Sequence, residues 1–237
     1  MQFDYTPMQI VYAALITMTL LIAREVFTRL YLRADPGRDP TLSAHSQKLA
    51  RVDALKNIKP EVLSVHEDIG HNFSKPIVDS ITLIKGIGIE GDSHAGETVQ
   101  HLYRLQFDPA APNLRQVHFM HSELFKELSV QGFEVKPGDL GENITTQSLN
   151  VLALPKRTRL ELGEGGAVVE VTGLRNPCAQ IEKFQKGLLA KILKDTDGKF
   201  ARRSGVMIVV LEGGVVRPGD VIEIMLPDEP HEELGVV

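Results

Sequence analysis

One cysteine, Cys178, and no tryptophan stand in 237 residues. A single thiol excludes an intrachain disulfide, and Cys-x-x-Cys zinc modules are absent. Aromatic side chains make up 5% of the chain, too few for a surface that stacks successive bases, and the formal net charge of −5 lacks the basic footprint of a nucleic-acid binder. No nucleic-acid partner is therefore expected. An uncharged apolar run at residues 8–23 (MQIVYAALITMTLLIA) is sixteen residues long, short of the ~20 that a bilayer-spanning helix uses. Arg24, Arg29 and Arg33 follow it and favour retention of the downstream chain on the cytosolic side. Residues 1–33 accordingly read as an N-terminal hydrophobic helix and membrane tether, facing the cytosol or mitochondrial. The competing readings are a cleaved targeting segment, an amphipathic helix packed on the domain, or an upstream extension, with the protein then cytoplasmic.

What the chain does contain points to β structure. Twenty glycines and many Val and Ile residues favour short strands joined by turns. Residues 34–60, with Pro36, Gly37, Pro40 and Pro60, read as a linker with one helical turn at Lys48–Leu55. A folded domain over 61–227 and a flexible acidic tail over 228–237 complete the division. Ile77–Lys85 reads as a strand entering Gly86-Ile87-Gly88-Ile89-Glu90-Gly91-Asp92-Ser93-His94, whose glycines allow close backbone approach to a ligand. Residues 97–113 form a polar loop of the kind that rims a site. Arg115–Phe119 alternates as a strand. Ser122 reads as the N-cap of a helix that Gly132 ends. Arg157–Leu162 and Ala167–Thr172 pair as a hairpin across Gly163–Gly166. Ile181 to Leu193 recur at helical spacing, and Val206–Leu211 and Val221–Met225 supply the last strands. The architecture expected is mainly β, a closed or nearly closed barrel with a few peripheral helices.

The chain is organised around Val168–Cys178. A β-branched strand stops at Gly173, and Arg175-Asn176-Pro177 then presents the thiol on a stiffened turn. A lone cysteine is commonly a small buried hydrophobe. In this loop it reads instead as a soft ligand or nucleophile, with Arg175 the cation that favours thiolate. Other polar candidates are Asp92, His94, Arg115, His118, Asp139, Glu142 and Asn143. None has the spacing of an HExxH site or a nucleophile elbow. A thiol enzyme built from Cys178, His94 or His118, and Asp92 stays open beside structural roles for each histidine. Asp139 and Asp220 in the two Pro-Gly-Asp turns read as turn formers.

Taken in order, GIEGDSHAG, RQVHF, KPGDLGENI, TGLRNPC and RPGD resemble the MOSC domain, the module at the C-terminus of molybdenum-cofactor sulfurases, in its compact stand-alone form. The resemblance implies a MOSC-type β-barrel that binds molybdenum cofactor, with Cys178 as the metal's thiolate ligand. It also implies Asp92 and His94 beside Cys178 in catalysis, and Arg115, Arg175, Asn143, Asn176, Gly91 and His118 around the cofactor. Members of the family reduce N-hydroxylated compounds. This implies a small-molecule substrate and an electron-donor protein partner, since no flavin or haem motif is visible here. The alternatives are a sulfur or cofactor carrier using Cys178, and a non-catalytic module. Pyridoxal phosphate, used by the sulfurases, is not expected, because no lysine sits in a Schiff-base context.

Overall fold

The computed structural model describes residues 59–194, 198 and 200–237. The hydrophobic segment at 1–33, its possible tether, and nearly all of the expected linker lie outside the described residues. Among those residues no helix is long and apolar enough to cross a membrane.

Among the described residues, eleven strands and four short helices follow from Glu61 onwards. The strands are β1 (Glu61–His66), β2 (Ile77–Val78), β3 (Ile81–Ile84), β4 (Gly88–Ile89), β5 (Val117–His121) and β6 (Ile144–Gln147). They continue with β7 (Arg159–Leu162), β8 (Ala167–Leu174), β9 (Val206–Glu212), β10 (Gly214–Val216) and β11 (Ile222–Met225). The helices are α1 (Leu102–Leu105), α2 (Ser122–Val130), α3 (Ala179–Phe184) and α4 (Leu188–Ile192), with a 3-10 turn at Val151–Ala153. Eight strands form one sheet in the order β11-β7-β8-β9-β5-β6-β1-β2, and β10-β3-β4 form a second. Among the described strands only the neighbours β5 and β6 run parallel, and α2 lies in the connection between them.

The expected alternation is plainest in β8, where Ala167, Val169, Val171 and Gly173 are buried and their neighbours half-buried. Its hairpin with β7 pairs Leu160 with Val169 and Leu162 with Ala167. The resulting apolar face joins Phe119, Ile144, Val206 and Ile208 in the main core. A second core of Met120, Leu124, Leu128, Leu140, Ile181, Leu188 and Ile192 fastens α2, α3 and α4. β5 is buried along its whole length because it lies mid-sheet and is covered on both faces.

Mainly β with few helices is correct, but the closed barrel is not. The last strand and the first meet through one isolated bridge, Glu61 to Val221, supported by Val62 N–H to Asp220 O and Ile222 N–H to Pro60 O. Pro60 has no N–H to extend the ladder, and the far half of the same edge of β1 is taken by β2, which pairs Val65 with Val78.

Smaller corrections have local causes. Ile77–Lys85 is two strands that belong to different sheets, split at Asp79-Ser80. The helix after Cys178 breaks at Gly187, whose φ of 87° is left-handed. Ser122 is inside α2 and not its cap, because β5 runs straight into the helix and His121 takes that position. The other end behaves as read: Gly132 at φ 84° closes a Schellman motif with Gly132 N–H on Ser129 O and Phe133 N–H on Leu128 O. β8 does not stop at Gly173. Gly235 O lies 2.5 Å from where a Cβ on Gly173 would stand, so the glycine admits the C-terminal residues against the strand. Those residues, read above as a flexible tail, hydrogen-bond β8 through Leu174 N–H to Gly235 O and Val237 N–H to Leu174 O.

Candidate functional site

A cleft of about 280 Å³ opens beside the end of β8. It collects Cys178, Arg175, Asn176, Arg115, His118, Asn143 and His94, together with Lys75, His71, Phe73, His101, Leu102, Tyr103 and Met207. The segments that reach it are β1–β2, β4–α1, α1, α1–β5, β5, α2–β6, β8–α3 and β9, which explains why the contributing motifs are so dispersed in the chain.

Cys178 is the residue before α3, with extended backbone (φ −121°, ψ 167°), and its thiol is free and half-buried. The Sγ lies 3.5 Å from Gln180 Oε1. Arg175 N–H donates to Gly205 O and Arg175 O accepts from Ser204 Oγ at 2.9 Å, so the arginine is fixed at its backbone. Its side-chain Nη1 is buried with no hydrogen-bond partner. Burial pushes this guanidinium below its ordinary value, opposed by the charges of Cys178 and Glu142. Arg115 is pushed down to about 10, first by burial and then by Arg104 and Arg175. One Arg115 donor is already used, Nη1 to Val237 O at 3.0 Å.

The floor is a buried polar network. Asp92 forms an ion pair with Lys75, the two side chains being 1% and 3% exposed. Asp92 Oδ2 also accepts from Asn143 Nδ2 at 2.9 Å, and Oδ1 accepts from His94 N–H at 2.9 Å with His94 Nδ1 at 3.2 Å. Burial raises the Asp92 carboxyl, but the hydrogen bond from His94 and the charge of Lys75 outweigh it and hold the group well below the usual carboxylate range. Asn143 binds β5 reciprocally, its Oδ1 accepting from His118 N–H at 3.1 Å and its own N–H donating to His118 O at 2.8 Å. Glu142 lies behind this floor with Oε1 accepting from Gly138 N–H at 2.7 Å and Thr145 Oγ at 3.0 Å, and burial pushes its carboxyl up.

The structure thus brings together eight of the nine residues that the resemblance assigns to catalysis or to the cofactor, with Asp92 beneath the surface as the anchor of His94. Gly91 is the exception. It is exposed, does not line the cleft, and its φ of 81° serves only the turn. Nor does the glycine segment offer a cradle of free amides: Asp92 N–H bonds Ile89 O, Ser93 N–H bonds Asp68 O, and Gly96 N–H bonds Ile87 O. His118 is held as a structural residue, with Nε2 donating to Ser204 O at 2.7 Å. Sequence reasoning missed Lys75. Flanked by Ser74 and Pro76 it carries no motif, and only its burial marks it. Asp139 and Asp220 do form turns, accepting from Lys136 N–H and Arg217 N–H at 2.8 Å each.

A metal held by the protein alone does not fit, since among the described residues no three His, Cys, Asp or Glu side chains converge on one point. One soft thiol beside an unpartnered guanidinium nitrogen does fit a soft metal that arrives with its own sulfur ligands and an anionic group.

A family model described as the MOSC domain matches residues 104–223. No curated protein matches the chain in sequence. Among solved structures, the YuaD protein from Bacillus subtilis is similar over 72% of this chain and 97% of its own, at 23% identity and a TM-score of 0.60. YiiM from Geobacillus stearothermophilus is similar over 73% and 79% at 17% identity, with a TM-score of 0.53. YiiM from Escherichia coli is similar over 73% of each chain at 19% identity, with a TM-score of 0.51. Identities this low show a shared fold.

Proposed function

The chain belongs to the MOSC domain family, and on that premise we propose that its cleft binds molybdenum cofactor and reduces N-hydroxylated compounds with electrons from a partner protein. The observation that carries the reading is the meeting of Cys178 with Arg175 and Arg115 in one cleft. When bound, the cofactor supplies a metal that changes oxidation state and takes up oxygen.

This chain's own residues do the holding and orienting. Cys178 is the protein's ligand to the metal, a soft donor on a loop that Pro177 stiffens. Arg175 Nη1, buried and without a partner, is placed to donate to the cofactor's anionic group, where a planar guanidinium binds paired oxygens. Arg115 supports it with its remaining donors. Asn176, half held by Arg202 Nε at 3.2 Å, completes the wall beside the thiol. Tyr103, Leu102, Phe73 and Met207 give the mouth an apolar lining suited to the body of an organic substrate.

The test is turnover. Protein made in a host that synthesises molybdenum cofactor is mixed with viologen reduced by dithionite and an N-hydroxylated amidine or base, and the deoxygenated product is quantified. Product formed by wild type and not by Cys178→Ala supports the reading. Cofactor-loaded wild type that forms none contradicts it, and a labile sulfur on Cys178 in that case favours the carrier.

A further inference from the structure

Reducing an N–OH group consumes protons as well as electrons, and resting on the reading above, we propose that His94 is the proton donor of the cleft, with Asp92 and buried Lys75 as positioning residues. The cleft's other histidines and its lysine are held differently. His118 already donates Nε2–H to Ser204 O at 2.7 Å and is held neutral by burial and by Arg175. His101 is pushed down to about 4 by burial and then by Arg115, His94, Arg104 and Arg175, so it carries no spare proton near neutrality. The Lys75 ammonium is ion-paired with Asp92 on the cleft floor. His71 is exposed at the rim, its ring edge-on to His94 with centroids 5.3 Å apart.

His94 differs from each of these. Its side chain is 29% exposed in the cleft, and its Nδ1 lies 3.2 Å from Asp92 Oδ1. Lys75 and Asn143 both engage Oδ2, leaving Oδ1 to the backbone and ring of His94. An ionised carboxylate only accepts, so Nδ1 carries the hydrogen and Nε2 is the nitrogen free to take a proton from solvent and give it up. The groups facing the ring are Asp92, the Ser93 hydroxyl at 3.2 Å, His71, His101 and Arg115.

In the step itself the substrate's N–O bond breaks. Two electrons come from a flavin- or haem-bearing donor protein. One proton from solvent forms the new N–H, and the proton on His94 Nε2 goes to the departing oxygen, so an amine and water leave. His94 is then reprotonated from solvent at the rim.

Two measurements test this. In the cofactor-free full chain, imidazole ¹⁵N resonances are expected to show neutral His94 protonated at Nδ1, with Asp92→Asn or Lys75→Met shifting it towards the Nε2–H form. In the loaded enzyme, His94→Ala is expected to lose about 10²–10⁴-fold in rate at unchanged molybdenum content, with partial recovery in added imidazole. A wild-type Nε2–H tautomer overturns the proposal, as does a His94→Ala rate near that of wild type or one that imidazole leaves unmoved. Loaded wild type that reduces no N-hydroxylated compound overturns the parent reading and this proposal with it. An active wild type with an active His94→Ala overturns this proposal alone.

Discussion

Replacing Lys75 by methionine isolates the ion pair on the cleft floor. The two side chains are 3% and 1% exposed, so removing the ammonium leaves a carboxylate with neither water nor a counter-ion. Breaking a buried pair in this way costs about 3–5 kcal/mol. Asp92 keeps donors from Asn143 Nδ2 and His94 N–H, each at 2.9 Å, which places the expected loss at the lower end of that range. The loss is also pH-dependent. In the wild type the folded Asp92 lies below its unfolded value, so its contribution is present above the ordinary carboxylate range and is lost only as pH falls through the folded value. Without Lys75 the folded value rises. The variant is then least handicapped in acid, where Asp92 can take a proton. Its deficit grows on going to neutral pH, by up to about 1.4 kcal/mol per unit. Urea unfolding of both proteins at pH 7 and pH 4.5 measures this. A deficit below about 1 kcal/mol at neutral pH, or one that does not change with pH, refutes the claim that the pair is buried and coupled.

Gly205 has φ 87°, and a Cβ there would stand 2.1 Å from Phe119 O. Gly205→Ala is therefore expected to lose at least about 3 kcal/mol by chemical denaturation, and a near-neutral result contradicts the close approach of β9 to β5. The buried histidines make the fold acid-sensitive. Burial, then Lys75, lowers His66 to about 4, and burial, then Arg203, lowers His121 to about 3, against 6.5 unfolded. Depressed folded values mean stability that is present above pH 6.5 and lost as pH falls towards 4 and 3, at up to about 3 kcal/mol per unit for the pair. Thermal unfolding should show a falling Tm from pH 6.5 downwards, and a flat profile to pH 4.5 would falsify the burial of both rings. Cys178→Ser, in a half-buried loop position outside both cores, should leave thermal stability within about 0.5 kcal/mol of wild type.

Much of the site was legible because its residues sit in turns with strong local chemistry. Pro137-Gly138-Asp139 and Pro218-Gly219-Asp220 fold by their own side-chain caps, and Arg175-Asn176-Pro177-Cys178 follows a strand whose alternation is clear. What was not legible depended on partners far along the chain. Lys75 looks like any surface lysine until His66 at the end of β1, the turn at Gly138–Glu142 and the Asp92 loop close around it. The split of Ile77–Lys85 follows from strand partners, since β2 pairs with β1 and β3 with β10. The open seam between β1 and β11 depends on Pro60 and on β2 occupying the edge, neither of which hydrophobic periodicity records. Arg115 lines the cleft, yet its bond to Val237 O joins residues 122 positions apart.

Molybdenum content is the most direct measure of the central claim. The full chain and Cys178→Ala are purified from a host that makes molybdenum cofactor, and metal and pterin are quantified per polypeptide beside a circular dichroism spectrum of each. One molybdenum and one pterin per wild-type chain, with both lost from a folded Cys178→Ala, is the expected result. Absence of molybdenum and pterin from wild type, or equal content in the variant, contradicts a cleft that holds the cofactor through Cys178.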